Sequence, residues 1–144
     1  MKVIDANVLI AAASNDHAHH RVAAAWLQEA RNAREALALS TVVALAFLRI
    51  TTHSKIHEMP LTSAQALEWL TAFMRTPAAC WVHPANDHLR ALERMLTGPV
   101  VGNLVMDAHL AALALENGAS VVTFDRDFLR FPGLRVELLT QETN

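Results

Sequence analysis

The sequence predicts an α/β domain in which helices cover a short parallel sheet, and three observations point there. Short apolar runs alternate with helical stretches of ten or more residues, the pattern of strand–helix–strand units. Capping and breaking residues punctuate the alternation. Acids stand just past the carboxyl ends of two predicted strands, where open parallel sheets bind their ligands.

Each element follows from its own residues. "KVI" (2–4) reads as a strand, "DAN" interrupts it, and "VLIAAAS" resumes with helical composition. Val22, Ala25, Trp26 and Leu27 give residues 17–36 an apolar side, with charges opposite. "LALS" is a second strand, and Ser40 or Thr41 caps a helix through "VVALAFLRITTH". After the loop "SKIHEMPLT", Ser63 is expected to cap "AQALEWLTAFMRT", which stops before Pro77. "CWVHP" is a third strand, and Asn86 or Asp87 caps "HLRALERMLT", which ends at Gly98-Pro99. "NLVMDAHLAALALENG" is a helix closed by Gly118, "SVVTF" a fourth strand and "LRVELL" a fifth.

The totals agree with one compact unit. At 144 residues, 53% hydrophobic and 18% charged, the chain can bury a core and lies far from disordered composition. A formal charge of −2 excludes a polycation that binds nucleic acid through bulk charge, but leaves room for local bases beside an acidic site. The lone cysteine, Cys80, allows no internal disulfide and reads as a buried, inert thiol. With no signal-like N-terminus and no apolar run long enough to span a bilayer, the expectation is a cytoplasmic protein away from membranes.

Three acids matter most. Asp107 falls on a helix that is apolar nearly all round, where an unpartnered carboxylate costs several kcal/mol or gives up its charge. Asp125 ends the strand "SVVTF" and Asp5 ends "KVI", so the topology would send all three to one edge of the sheet. Singly, each has an ordinary explanation: a helix-dipole partner for Asp107, a turn or N-cap for Asp125, a turn for Asp5. Together they form a carboxylate cluster that a hard divalent cation would neutralise. Mg²⁺ takes a few carboxylates and leaves its other positions to water and phosphate, which suits phosphodiester hydrolysis.

The blocks "VIDANVLIAA", "LAFLRITTHSKI" and "GNLVMDAHLAALALENGASVVTFDRDF" resemble, in order and end to end, the PIN-domain nucleases. The nearest likeness is to the VapC-type toxins of bacterial toxin–antitoxin pairs. That resemblance implies one three-layer PIN-like α/β domain over residues 1–144 and endoribonuclease activity dependent on Mg²⁺ or Mn²⁺. It also implies neutralisation by a small cognate antitoxin and pairing of the toxin as a homodimer. By motif it assigns Asp5, Asp107 and Asp125 as catalytic metal ligands, Asp127 as an auxiliary acid, and Asn7 and Thr123 as polar supports.

One position departs from the pattern. Many PIN domains carry a glutamate on the third predicted helix, and here Ala46 stands in its place; Glu58 and Asp87 are candidate substitutes that no motif places there. Losing that charge would weaken metal binding. It also motivates a rival function from another class, a non-catalytic module that binds RNA or an antitoxin. A sheet phosphatase fits less well, because its first strand would end in an acid-x-acid pair rather than "DAN".

The remaining features have plainer readings. "HAHH" (17–20) is expected at the surface, since adjacent histidines on a helix diverge. His109, two residues from Asp107, is expected to be structural. Arg49, Lys55, Arg126 and Arg130 are bases available to phosphates near the mouth of the site. Phe47, Leu48 and Ile50, with Trp69, Leu70, Phe73 and Met74, give two helices more apolar residues than one core needs. Any left outside would form a groove for a partner's helix or strand.

Overall fold

The computed structural model describes residues 1–99, 102 and 104–140. Among the described residues, five strands and six helices alternate as expected: β1 (Lys2–Ile4), α1 (Ala6–Ala13), α2 (His20–Asn32), β2 (Leu37–Leu39), α3 (Thr41–Thr51) and α4 (Ser63–Met74). These are followed by β3 (Ala79–Trp81), α5 (His88–Met95), α6 (Leu104–Glu116), β4 (Ser120–Thr123), a 3₁₀ turn (Arg126–Arg130) and β5 (Arg135–Leu138).

All strand pairs are parallel, in the order β3-β2-β1-β4-β5. The central strands are buried on both sides. Val3, Ile4, Leu37, Ala38, Leu39, Val121 and Val122 are sealed from solvent, as continuous apolar runs in a helix-covered sheet should be. The chain steps one way from β1 to β3 and then crosses back to β4. Right-handed crossovers therefore put α1–α4 on one face and α5–α6 on the other. The helices pack accordingly, α1 on α2 and α3, α3 on α4, and α5 on α6. This is the helix-covered parallel sheet the sequence predicts, in the three layers the family resemblance implies.

Local chemistry corrects several boundaries. Thr62, not Ser63, is the N-cap of α4. Its hydroxyl accepts from the Gln65 amide while the Gln65 side chain accepts from the Thr62 amide, a reciprocal capping box. Helix α2 starts at His20 and buries Ala23, Leu27 and Ala30, one helical stripe, while Ala25 faces outward. Cys80 is only half-buried, on edge strand β3. The predicted cap Asp87 precedes α5 without a side-chain cap bond, and Asn103 lies outside the described residues.

Two helices end in the same device with different residues. After α6 the Ala119 amide bonds the Ala114 carbonyl at 2.8 Å, and Gly118 adopts φ +60°. After α2 the Glu35 amide bonds the Ala30 carbonyl at 3.0 Å, but the left-handed position, φ 54°, is held by Arg34. A side chain there costs about 1 kcal/mol relative to glycine. Arg34→Gly is therefore expected to raise the thermal midpoint by roughly 3 °C. Calorimetry checks this, and an unchanged or lower midpoint would show that the arginine side chain compensates.

Candidate active site

The sheet order reverses between β1 and β4, so the crevice at their carboxyl ends is the topological switch point where such sheets bind ligands. Asp5 leaves β1 there as the residue preceding α1, and its amide bonds the Val122 carbonyl of β4 at 3.0 Å. Thr123, the last residue of β4 and fully buried, is the hub. Its hydroxyl donates to Asp5 Oδ2 at 2.6 Å and accepts from Asn7 Nδ2 at 3.0 Å and the Asp125 amide at 2.9 Å. Asn7 Oδ1 in turn accepts from the Phe124 amide at 3.3 Å. One hydroxyl and one carboxamide thus fix the mutual positions of the β1 and β4 exits.

Asp125 caps the 3₁₀ turn, its Oδ1 accepting from the Asp127 amide at 2.8 Å. The ordinary explanation for this residue is correct, and the cap also holds it beside the other acids. Asp107 approaches from α6 on the opposite face. With Asp5, Ala6, Val43, Ala46, Arg49 and Met106 it lines a cavity of about 240 Å³. Ala46 therefore shares the cavity with Asp5 and Asp107, and its methyl group brings no charge. Neither Glu58 nor Asp87 lines the cavity; Asp87 lies with Arg90 and Glu116 at the start of α5.

The charges respond to this crowding. Burial pushes the Asp107 carboxyl up to about 6, and repulsion from Asp5, Asp125 and Asp127 adds to it. Asp5 is also pushed up, first by burial, against the pull of the Thr123 hydroxyl and the Ala6 amide. Among the described residues, no three His, Cys, Asp or Glu side chains are gathered into a metal-holding group. The acids are electrostatic neighbours rather than a closed cage.

A pH dependence follows. A carboxyl raised in the folded state binds its proton more tightly there than in the unfolded chain, so folding is favoured at low pH. That contribution is lost as pH rises from 3.8 to about 6. In the presence of a chelator, the midpoint of wild type minus that of Asp107→Asn is expected to fall between pH 4 and pH 6. A difference independent of pH would contradict the raised carboxyl. Comparing the two chains cancels the opposing contribution of His17 and His109, both lowered mainly by burial.

The other sequence expectations divide. Arg49 reaches the acidic cavity, whereas Arg126 and Arg130 stand exposed on the 3₁₀ turn and Lys55 on the α3–α4 loop. His17, His19 and His20 are half-buried rather than surface residues, and His20 Nδ1 lies 2.9 Å from the Ala11 carbonyl. His109 is structural, as expected: its Nδ1 lies 2.8 Å from His88 Nε2, and His88 Nδ1 lies 2.9 Å from Glu116. No local motif announces that chain, because its members meet only when α5 packs on α6. A larger hollow of about 470 Å³, beside Arg31, Arg34 and Ala78, opens where β2 and β3 begin, away from the acids.

Comparison with known proteins agrees with the geometry. The model of the PIN domain matches residues 2–134. The chain is 40% identical to ribonuclease VapC37 of Mycobacterium tuberculosis, over 94% of each protein. It is 35% identical to ribonuclease VapC25 of the same organism, over 94% of this chain and 96% of that one. Among solved structures, VapBC2 of Rickettsia felis superposes with a TM-score of 0.72 at 18% identity, covering 96% of this chain and 98% of the other. Mycobacterium tuberculosis VapC20 superposes with a TM-score of 0.65, also at 18% identity, over 94% and 99%. A switch-point cluster of acids on a five-stranded parallel sheet, matched along nearly the whole chain by VapC ribonucleases, makes this protein a member of the PIN-domain family.

Proposed function

We propose that the chain is a toxin-type endoribonuclease that hydrolyses RNA phosphodiester bonds, using Mg²⁺ or Mn²⁺ held by Asp5, Asp107 and Asp125, and that a cognate antitoxin neutralises it. The observation that carries this is that Asp5 and Asp107 share one cavity with Arg49, while Asp125 and Asp127 are close enough to raise the Asp107 carboxyl by repulsion. The donor set fits a hard cation: it is all carboxylate oxygen, and its members repel one another. Relatives at 35–40% identity are named ribonucleases, and the VapC20 structure is described as a sarcin–ricin loop cleaving toxin. Structural neighbours from Rickettsia felis and Salmonella typhimurium are VapBC complexes bound to DNA, which supports an antitoxin partner here.

A bound divalent cation would polarise the phosphoryl oxygen and make a water acidic enough to attack near neutral pH. The chain's own residues do the rest. Thr123 and Asn7 orient Asp5 and the Asp125 backbone, so the β1 and β4 acids need no reorganisation. Arg49 offers the cavity a fixed positive charge for phosphate. Ala46 leaves the site one carboxylate short of the usual family set, so metal affinity is expected to be weaker. For the antitoxin, α3 and α4 leave Leu45 and Leu67 60% and 52% exposed, a surface suited to an amphipathic segment.

The test is incubation of the purified chain with single-stranded RNA, with Mn²⁺ or chelator, and with or without co-purified antitoxin. Cleavage that needs metal and stops with antitoxin is expected. RNA retained but never cut would favour the binding-module alternative.

A further inference from the structure

A second cleft, of about 430 Å³, opens beside Asn7. Its walls are Ile10 of α1, Ile50 of α3 and Ile56 of the α3–α4 loop, and its polar groups are Asn7, Asp16, His17 and His57. Asn7 is shared with the catalytic network through Thr123, so a ligand here lies beside whatever the acids hold. Three features point to a particular chemistry. First, the walls are apolar and β-branched, which suits a flat ring rather than a hydrated ion. Second, among the described residues no Lys or Arg lines the cleft and Asp16 does, which disfavours phosphate.

Third, the polar groups at its edge include both donors and acceptors, one of them unspent. His17 Nδ1 accepts from the His19 amide at 3.1 Å, so its Nε2 carries the proton and donates. Asp16 accepts. His57 Nε2 is buried and, among the described residues, has no hydrogen-bond partner, so it calls for a bound group. Burial lowers the His17 ring below its usual range, and the nearby His19 and His57 rings add to this, so it stays neutral near pH 7. His19 stacks on Phe124, with centroids 4.4 Å apart and planes 16° apart, which ties this group of imidazoles to the residue before Asp125.

We propose that this cleft is the subsite for one nucleobase of the RNA, adjacent to the phosphate that is cut, with Ile10, Ile50 and Ile56 against its faces and His17, His57 and Asp16 reading its edge. The subsite rests on the ribonuclease function above and adds to it a determinant of where the strand is cut. Single-stranded RNA is the form that can present a splayed base to such a slot.

Two measurements separate the subsite from the function it serves. Imidazole ¹H–¹⁵N spectra of the wild-type chain in chelator, titrated with tetranucleotides of each base, should show His17 and His57 shifting for one base more than the others. His88, held by Glu116, should stay still. In the cleavage assay, His17→Ala and His57→Ala are each expected to raise KM roughly ten- to hundredfold, blur the preferred cutting site and change kcat little. Cleavage with unmoved His17 and His57 signals, and with KM and cutting pattern unchanged in both variants, overturns the subsite and leaves the nuclease standing. Base-selective shifts without cleavage under any metal support the cleft and overturn the nuclease.

Discussion

Asp5→Asn is expected to abolish metal-dependent RNA cleavage, by more than about a hundredfold, while the chain stays folded. The substitution keeps the volume and leaves one oxygen to accept from Thr123, so the β1–β4 junction survives. It removes the charge that the β1 exit contributes to the cluster. It should also let the Asp107 carboxyl fall, because Asp5 is the first of the neighbouring charges that raise it. Circular dichroism and a cleavage assay on one preparation check both halves. Full activity in a folded Asp5→Asn chain would rule out a metal-ligand role for this residue.

Thr123→Val is the second large effect, and it acts on stability and activity together. Valine matches threonine in shape, so the core around Val122 is undisturbed. Three partners lose their bond at once: Asp5 Oδ2 its donor, and Asn7 Nδ2 and the Asp125 amide their acceptor. Each buried group left unpaired costs 1–3 kcal/mol, and local relaxation brings the sum to about 3 kcal/mol. A domain of this size should lose about 10 °C in thermal midpoint. Cleavage should fall as well, because Asp5 and the Asp125 backbone are no longer held in register. Thr123→Ser should restore most of both, since it keeps the hydroxyl and loses only a methyl group. If valine is tolerated like serine, the hydroxyl is not the hub.

Most of this fold can be read along the chain because its elements are short and marked at both ends. "KVI" and "SVVTF" are largely apolar runs cut off by acids, and Gly118 sits where the end of α6 needs a left-handed residue. Asp107 is conspicuous as the one acid in the first turns of a helix that is otherwise apolar. What the sequence hides depends on contacts between distant segments. The Thr62 cap is displaced by one residue because Ser63 is an equally good capping residue, and only the reciprocal bond with Gln65 decides between them. The histidines at 17–20 read as surface because helix geometry separates them. In fact His17 and His19 precede α2 in a loop that folds against His57 and Phe124. The Glu116–His88–His109 chain and the cleft beside Asn7 are likewise products of packing.

Isothermal titration of Mn²⁺ into the wild-type chain and into Asp107→Asn tests most directly whether the acids at the β1–β4 switch point hold a divalent cation. A binding isotherm for the wild type that vanishes in the variant is the expected result. Equal binding by both chains, or none by the wild type at millimolar metal, would contradict it.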